Sequence, residues 1–122
     1  MYELSIETEF AAAHAIVMGG VREPLHGHNW HVTVTVGGER LDADGLLCDF
    51  HLVESRLREI TGRLHNRNLN EVAPFDTLNP TAELVARHIG ESIAAVLPPG
   101  VRLVSSRVTE APGCAAVWRG LS

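Results

Sequence analysis

Positive charge is scarce in this sequence. Ten Lys plus Arg stand against fifteen Asp plus Glu, a formal net charge of −5 with no basic cluster. That excludes nucleic acid as a partner, because binding it requires a positive footprint. Long apolar runs are missing too, and none approaches the roughly twenty residues that span a bilayer, so no membrane partner is expected. The opening "MYELSIETEF" carries acids where a secretory leader has a basic region and an apolar core. The expected setting is therefore cytoplasmic. Cys48 and Cys114 are the only cysteines and neither lies in a CxxC pair, which excludes a cysteine-rich zinc site and suits free thiols in a reducing compartment. Repeats, low-complexity tracts and long linkers are absent, so residues 1–122 read as a single domain with a small core. What the sequence does hold in quantity is histidine, seven in all.

Hydrophobic periodicity sets out the elements. Residues 2–10 read as a strand with Leu4, Ile6 and Thr8 on one face. In residues 28–37, Val32, Val34 and Val36 alternate with His31, Thr33 and Thr35, the period of a half-buried strand. "LDADGLLCDF" reads as a returning hairpin arm with a turn at Asp44-Gly45. Phe50, Val53, Leu57, Ile60 and Leu64 recur at helical spacing over about 50–62, with Asp49 as the cap. A polar loop leads to a second helix that starts at Asn79-Pro80 and carries Val85, Ile89, Ile93 and Val96 on its apolar stripe. "LPPG" ends it, and strands at about 101–110 and 114–120 close the chain around "APGC". The order is α+β: an antiparallel sheet with two helices packed on one face.

The histidines suggest chemistry. On a strand, residues i and i+2 share a face, so His26 and His28 extend the inward face of Trp30 and Val32. Two neutral imidazoles converging on one point make half of a zinc site, and three with an open position make its catalytic form. "EFAAAHA" supplies His14 as the third, behind three small alanines. An isolated HxH at a strand start is more often ordinary than metal-binding, and His31, His51 and His88 read as surface or packing residues.

Six motifs in order carry a resemblance: "FAAAH" (Phe10 to His14), "LHGHNW" (Leu25 to Trp30), "CDF" (Cys48 to Phe50), "LHNRNLN" (Leu64 to Asn70), "NPTAE" (Asn79 to Glu83) and "TEAPGC" (Thr109 to Cys114). Together they resemble the 6-pyruvoyltetrahydropterin synthase / 6-carboxytetrahydropterin synthase family across nearly the whole chain. The resemblance implies a tunnelling fold, an antiparallel four-stranded sheet with two helices packed on one face, assembled through trimers into a homohexamer. It implies zinc on His14, His26 and His28, and a pterin-like small-molecule ligand whose ring is anchored by Glu110, with Thr81 adding contacts. A carboxylate suits a 2-amino-4-oxo ring because it can accept two parallel hydrogen bonds.

Departures from the family pattern bear on the reaction. Arg22 stands where the family carries its catalytic cysteine, and His65 and Asn66 stand where it carries an aspartate–histidine pair. Asparagine cannot serve as a general base near neutral pH, and His65, displaced by one residue, is a weak substitute. Glu23 completes ExxHGH, the pattern of a subgroup associated with cleaving the side chain of dihydroneopterin triphosphate to 6-hydroxymethyldihydropterin. The expectation is a pterin site with an altered, zinc-dependent lyase reaction using Glu23, and no formation of 6-pyruvoyltetrahydropterin. The alternatives are a non-catalytic hexamer that binds a pterin- or purine-like ligand, and a metal-dependent protein acting on an unrelated small molecule.

Overall fold

A computed structural model describes residues 1–120. Strand β1 (Tyr2–His14) and strand β4 (His26–Gly38) form a long antiparallel pair. Between them lies a small hairpin, β2 (Val17–Met18) and β3 (Val21–Arg22). Helix α1 (Phe50–Gly62), the two-residue strand β5 (Arg67–Asn68) and helix α2 (Ala82–Ala94) follow, and β6 (Arg102–Ala111) and β7 (Cys114–Arg119) close the sheet. The sheet order is β5-β1-β4-β6-β7. It therefore has five strands rather than four, because β5 adds a short parallel pairing to the β1 edge. Among the described residues no helix is long and apolar enough to cross a membrane.

Alternation sorts the sheet residues. Ile6, Phe10, Trp30, Val32, Val34, Val36, Leu103 and Val108 are buried on the face covered by the helices, against Val53, Leu57 and Ile60 of α1 and Val85, Ile89 and Ile93 of α2. Phe10 and Trp30 stack with centroids 5.7 Å apart. Asp49 caps α1 by accepting from His51 N–H.

Three expectations are corrected. Residues 41–49 form no strand. Asp42 Oδ1 accepts from the amides of Asp44 and Leu46, at 2.9 and 3.0 Å, and the loop closes on itself around Gly45. Its hairpin partner β4 was not available, since β1 and β6 already occupy both edges of that strand. Helix α2 starts two residues late, at Ala82, with Thr81 rather than Asn79 as its cap. Phe50 points outward, half exposed, and is not part of the α1 stripe.

Gly90 lies where α2 meets β7. A Cβ there would sit 2.6 Å from Trp118 Cε3 and 3.0 Å from Leu103 Cδ2. Gly62, in the last turn of α1, has nothing within 4 Å. Gly90→Ala is expected to lower stability by about 1–3 kcal/mol through overpacking, against a helix-propensity gain of about 1 kcal/mol that Gly62→Ala receives without a clash. Urea midpoints should therefore move in opposite directions for the two variants.

Candidate metal centre

The β1–β4 register builds the site. His14 pairs across the strands with His26, and Ala12 with His28, so His14, His26 and His28 gather at one end of the sheet. Their ring centroids lie 4.7–5.1 Å apart. Small residues at Ala11, Ala12 and Ala13 leave the space open, and the buried Trp30 indole lies 5.0 Å from the His14 ring. Trp30 is itself fixed by donating from Nε1 to Ala12 O at 3.1 Å.

Glu110 joins the histidines. The β6–β7 pairing shifts register between Thr109 and Ala111, which leaves Glu110 unpaired at the irregularity. Such a bulge commonly re-aims a side chain. Its Oε1 lies 2.8 Å from His14 Nε2 and 3.0 Å from His28 Nε2. One ligand atom from each of His14, His26, His28 and Glu110 falls within 4.8 Å of the others. Sequence patterning treats Glu110 as a residue apart from the histidines. The bulge that brings it to them has no local signal.

The tautomers follow from the partners. His14 Nδ1 lies 2.8 Å from Pro80 O, and His26 Nδ1 lies 2.9 Å from Pro24 O. A carbonyl can only accept, so each Nδ1 carries the proton and the neutral ring presents a bare Nε2 to the cluster. Outer hydrogen bonds of this kind orient metal-binding histidines. The Nε2 atoms of His14 and His28 are buried and make no aligned hydrogen bond, although Glu110 Oε1 is close to both. Two lone-pair atoms at 2.8 Å repel unless a proton or a metal ion lies between them. The donor set therefore fits a metal ion with imidazole and carboxylate ligands. Burial is the largest influence on His28 and pushes it below its ordinary value of 6.5; Glu110 opposes that shift, and His14 and His26 reinforce it. Its neutral form, the one that ligates, is thereby favoured.

The other predicted residues divide. Glu23 sits beside the cluster, with Oε1 3.7 Å from His26 Nε2, and is held by accepting from Ile16 N–H at 3.1 Å. Thr81 caps α2, its hydroxyl oxygen accepting from Leu84 N–H at 3.2 Å. His65 lies outside the cluster, where its Nδ1 accepts from Ala11 N–H at 3.1 Å. Two positioning asparagines were missed. Asn70 brackets both backbone groups of Ala15, at 2.8 and 2.9 Å, and Asn79 brackets both of Val17, each at 2.9 Å. Both lie in motifs the sequence makes conspicuous, "LHNRNLN" and "NPTAE", but their partners are more than fifty residues away.

Residues 3–120 match the model of the 6-pyruvoyl tetrahydropterin synthase family. The chain belongs to that family. Among its relatives, dihydroneopterin monophosphate aldolase of Pyrococcus furiosus is 36% identical over 94 residues, covering 77% of this chain and 76% of the relative. The 6-carboxy-5,6,7,8-tetrahydropterin synthase of Bacillus subtilis is 30% identical over 102 residues, covering 79% and 68%. The solved 6-pyruvoyl tetrahydropterin synthase of Caenorhabditis elegans superposes with a TM-score of 0.86 at 22% identity, covering 98% of this chain and 96% of that one.

The lowered His28 gives a pH dependence with a defined sign. Where the folded pKa lies below the unfolded one, the unfolded chain binds more protons, so stability present above 6.5 is lost as pH falls. His88, depressed chiefly by its own burial, acts in the same direction. The urea midpoint of metal-free protein should drop between pH 7 and about 5, and His28→Gln should make that drop shallower without abolishing it.

Proposed function

We propose that this protein is a metal-dependent lyase that cleaves the side chain of a phosphorylated dihydroneopterin, leaving a 6-hydroxymethyldihydropterin. The observation that carries this reading is Glu23, a carboxylate fixed 3.7 Å from His26 Nε2 at the edge of a three-histidine set, with Arg22 at the position of the family's cysteine. Support comes from the relatives, one of which is named as an aldolase of dihydroneopterin monophosphate.

His14, His26 and His28 would hold the ion. Zinc, when bound, supplies Lewis-acid polarisation of the side-chain oxygens. Glu23 takes the proton from the 2′-hydroxyl. The C1′–C2′ bond breaks as that oxygen becomes a carbonyl, and the electron pair passes into the C6=N5 unit of the ring. C1′ then regains a proton, and a two-carbon aldehyde leaves. Glu23 Oε1 is occupied by Ile16 N–H, so the second carboxylate oxygen is the one free for proton transfer. Glu110 accepts hydrogen bonds from the ring N–H and amino groups. The assembly in which this takes place is a homohexamer built from trimers, as the family resemblance implies.

A second role for Glu110 is favoured by its 2.8 and 3.0 Å approaches to His14 and His28: it is a fourth metal ligand. Metal analysis of Glu110→Ala separates the two. A ring anchor leaves zinc bound and loses pterin affinity, whereas a ligand loses zinc as well.

The lyase reading is tested by incubating zinc-supplemented protein with dihydroneopterin phosphates and separating the oxidised pterins by chromatography. A 6-hydroxymethylpterin product is expected, with Glu23→Gln at least a hundred-fold slower, the scale of a lost general base (~10²–10⁴). Pterin binding without turnover in the wild type would instead identify a non-catalytic binding protein.

A further inference from the structure

Residues 15–17 join His14 to the β2–β3 hairpin, and each is held at both of its backbone groups. Asn70 accepts from the Ala15 amide at 2.8 Å and donates to the Ala15 carbonyl at 2.9 Å. Asn79 does the same for Val17, at 2.9 Å each way. Ile16, between them, is held by Glu23. Its amide donates to the Glu23 carboxylate at 3.1 Å, and its carbonyl accepts from the Glu23 amide at 3.0 Å. The partners alternate as they do along a strand, where successive residues turn their backbone groups to opposite edges. The two asparagines thus hold one edge and Glu23 holds the other.

The two edges differ in what stands behind them. Asn70 belongs to a single 3-10 turn, Leu69–Glu71, which is anchored by the fully buried Leu69, and its own amide donates to Asn68 Oδ1 at 3.1 Å. Asn79 precedes the buried Pro80, whose carbonyl fixes His14, and Thr81, which caps α2. Glu23 has no such backing. It follows a hairpin of only two cross-strand pairs, Val17 with Arg22 and Met18 with Val21. Val17, Met18 and Val21 are exposed, and the turn residues Gly19 and Gly20 have positive φ and nothing within 4 Å of an added Cβ. A short hairpin without a packed apolar face does not fix its own position. The place of the Glu23 carboxylate is therefore set from the asparagine edge.

We propose that Asn79 is a positioning residue for Glu23, acting through Val17 and Ile16. This role rests on the lyase reading above and deepens it by naming what aims the base. An asparagine amide carries an acceptor and a donor in one plane, so it meets both backbone groups of Val17 as a neighbouring strand would. Alanine offers neither group, and aspartate keeps the acceptor but sets a second oxygen against Val17 O. Without the clamp, Val17 and Ile16 shift with the hairpin and take the Glu23 carboxylate out of line. A misplacement of about 1 Å costs on the order of 10²-fold in rate, and the loss falls on kcat because Asn79 acts on the base and not on binding.

The test is steady-state turnover of a dihydroneopterin phosphate by zinc-supplemented wild type, Asn79→Ala and the isosteric Asn79→Asp, each alone and combined with Glu23→Gln. Both Asn79 variants are expected to lower kcat at least about ten-fold with KM within about two-fold, and to add nothing once Glu23 is replaced. Circular dichroism and bound zinc should match the wild type, since Val17 is exposed and water takes the place of the amide. Amide hydrogen exchange read by NMR is a second readout that needs no turnover: Ile16 should exchange at least about ten-fold faster in Asn79→Ala, with Trp30 unchanged. An unchanged kcat, a loss confined to KM, or a loss that persists in full beside Glu23→Gln overturns the positioning role and leaves the lyase standing. Absence of turnover in the wild type overturns the lyase. The hold of Asn79 on Glu23 then stands if Ile16 exchanges faster in Asn79→Ala and is overturned if its exchange is unchanged.

Discussion

Everything at the site depends on the antiparallel register of β1 and β4, in which His14 faces His26. Side chains alternate along a strand, so a slip of one residue would turn His26 and His28 to the opposite face and pull Trp30, Val32, Val34 and Val36 out of the core. The register is held by burial of those four residues, each at 1% exposure or less, and by the Trp30 Nε1 bond to Ala12 O. Full burial of one such side chain is worth about 1.5–3 kcal/mol. The apolar pattern that folds the sheet is thus the same pattern that aligns the three histidines, and the site needs no separate folding instruction.

Bringing three imidazoles and a carboxylate together opposes folding. Unpaired buried polar atoms cost about 1–3 kcal/mol each, and the Nε2 atoms of His14 and His28 are of this kind. The surrounding structure offsets that cost with bonds that also orient the rings: Pro80 O on His14, Pro24 O on His26, and asparagine clamps on Ala15 and Val17 just beyond His14. The segment Asn79-Pro80-Thr81 does three jobs in three residues, clamping the exit of β1, fixing a histidine tautomer and capping α2. Thr81 is extended, with ψ 157, and its hydroxyl caps the first turn, so α2 begins at Ala82 and not at the proline.

Much of this was legible from the sequence because its signals are local. Valine alternation gave β4, helical spacing gave α1, and HxH on one strand face gave His26 and His28. The cap at Asp49 and the turn at Asp44-Gly45 are likewise short-range features. The failures are all long-range. The segment 41–49 has strand-like composition, but both edges of its prospective partner were already taken. Two-residue β5 exists only because β1 offers it a free edge. Glu110 reaches His14 through a register shift between two distant strands, and no periodicity encodes that meeting.

The stretch "LHNRNLN" shows how a change of residue type can alter chemistry while the scaffold persists. Asn66 adopts a left-handed conformation at φ 58 and donates from its amide to Ala11 O at 2.6 Å, while His65 Nδ1 accepts from Ala11 N–H. Between them they satisfy both backbone groups of Ala11 and fasten the β5 segment to the sheet. Asparagine tolerates that backbone region better than most residues. His65, with Nδ1 engaged as an acceptor, keeps its proton on Nε2 in the neutral ring, so Nδ1 is not free to act as a base. In this chain both residues are engaged in holding the backbone of Ala11. They terminate the exposed edge of β1 and set Arg67 on the rim of a cavity beside His28. On the lyase reading proposed above the base is Glu23, a carboxylate tied to Ile16 and set beside His26.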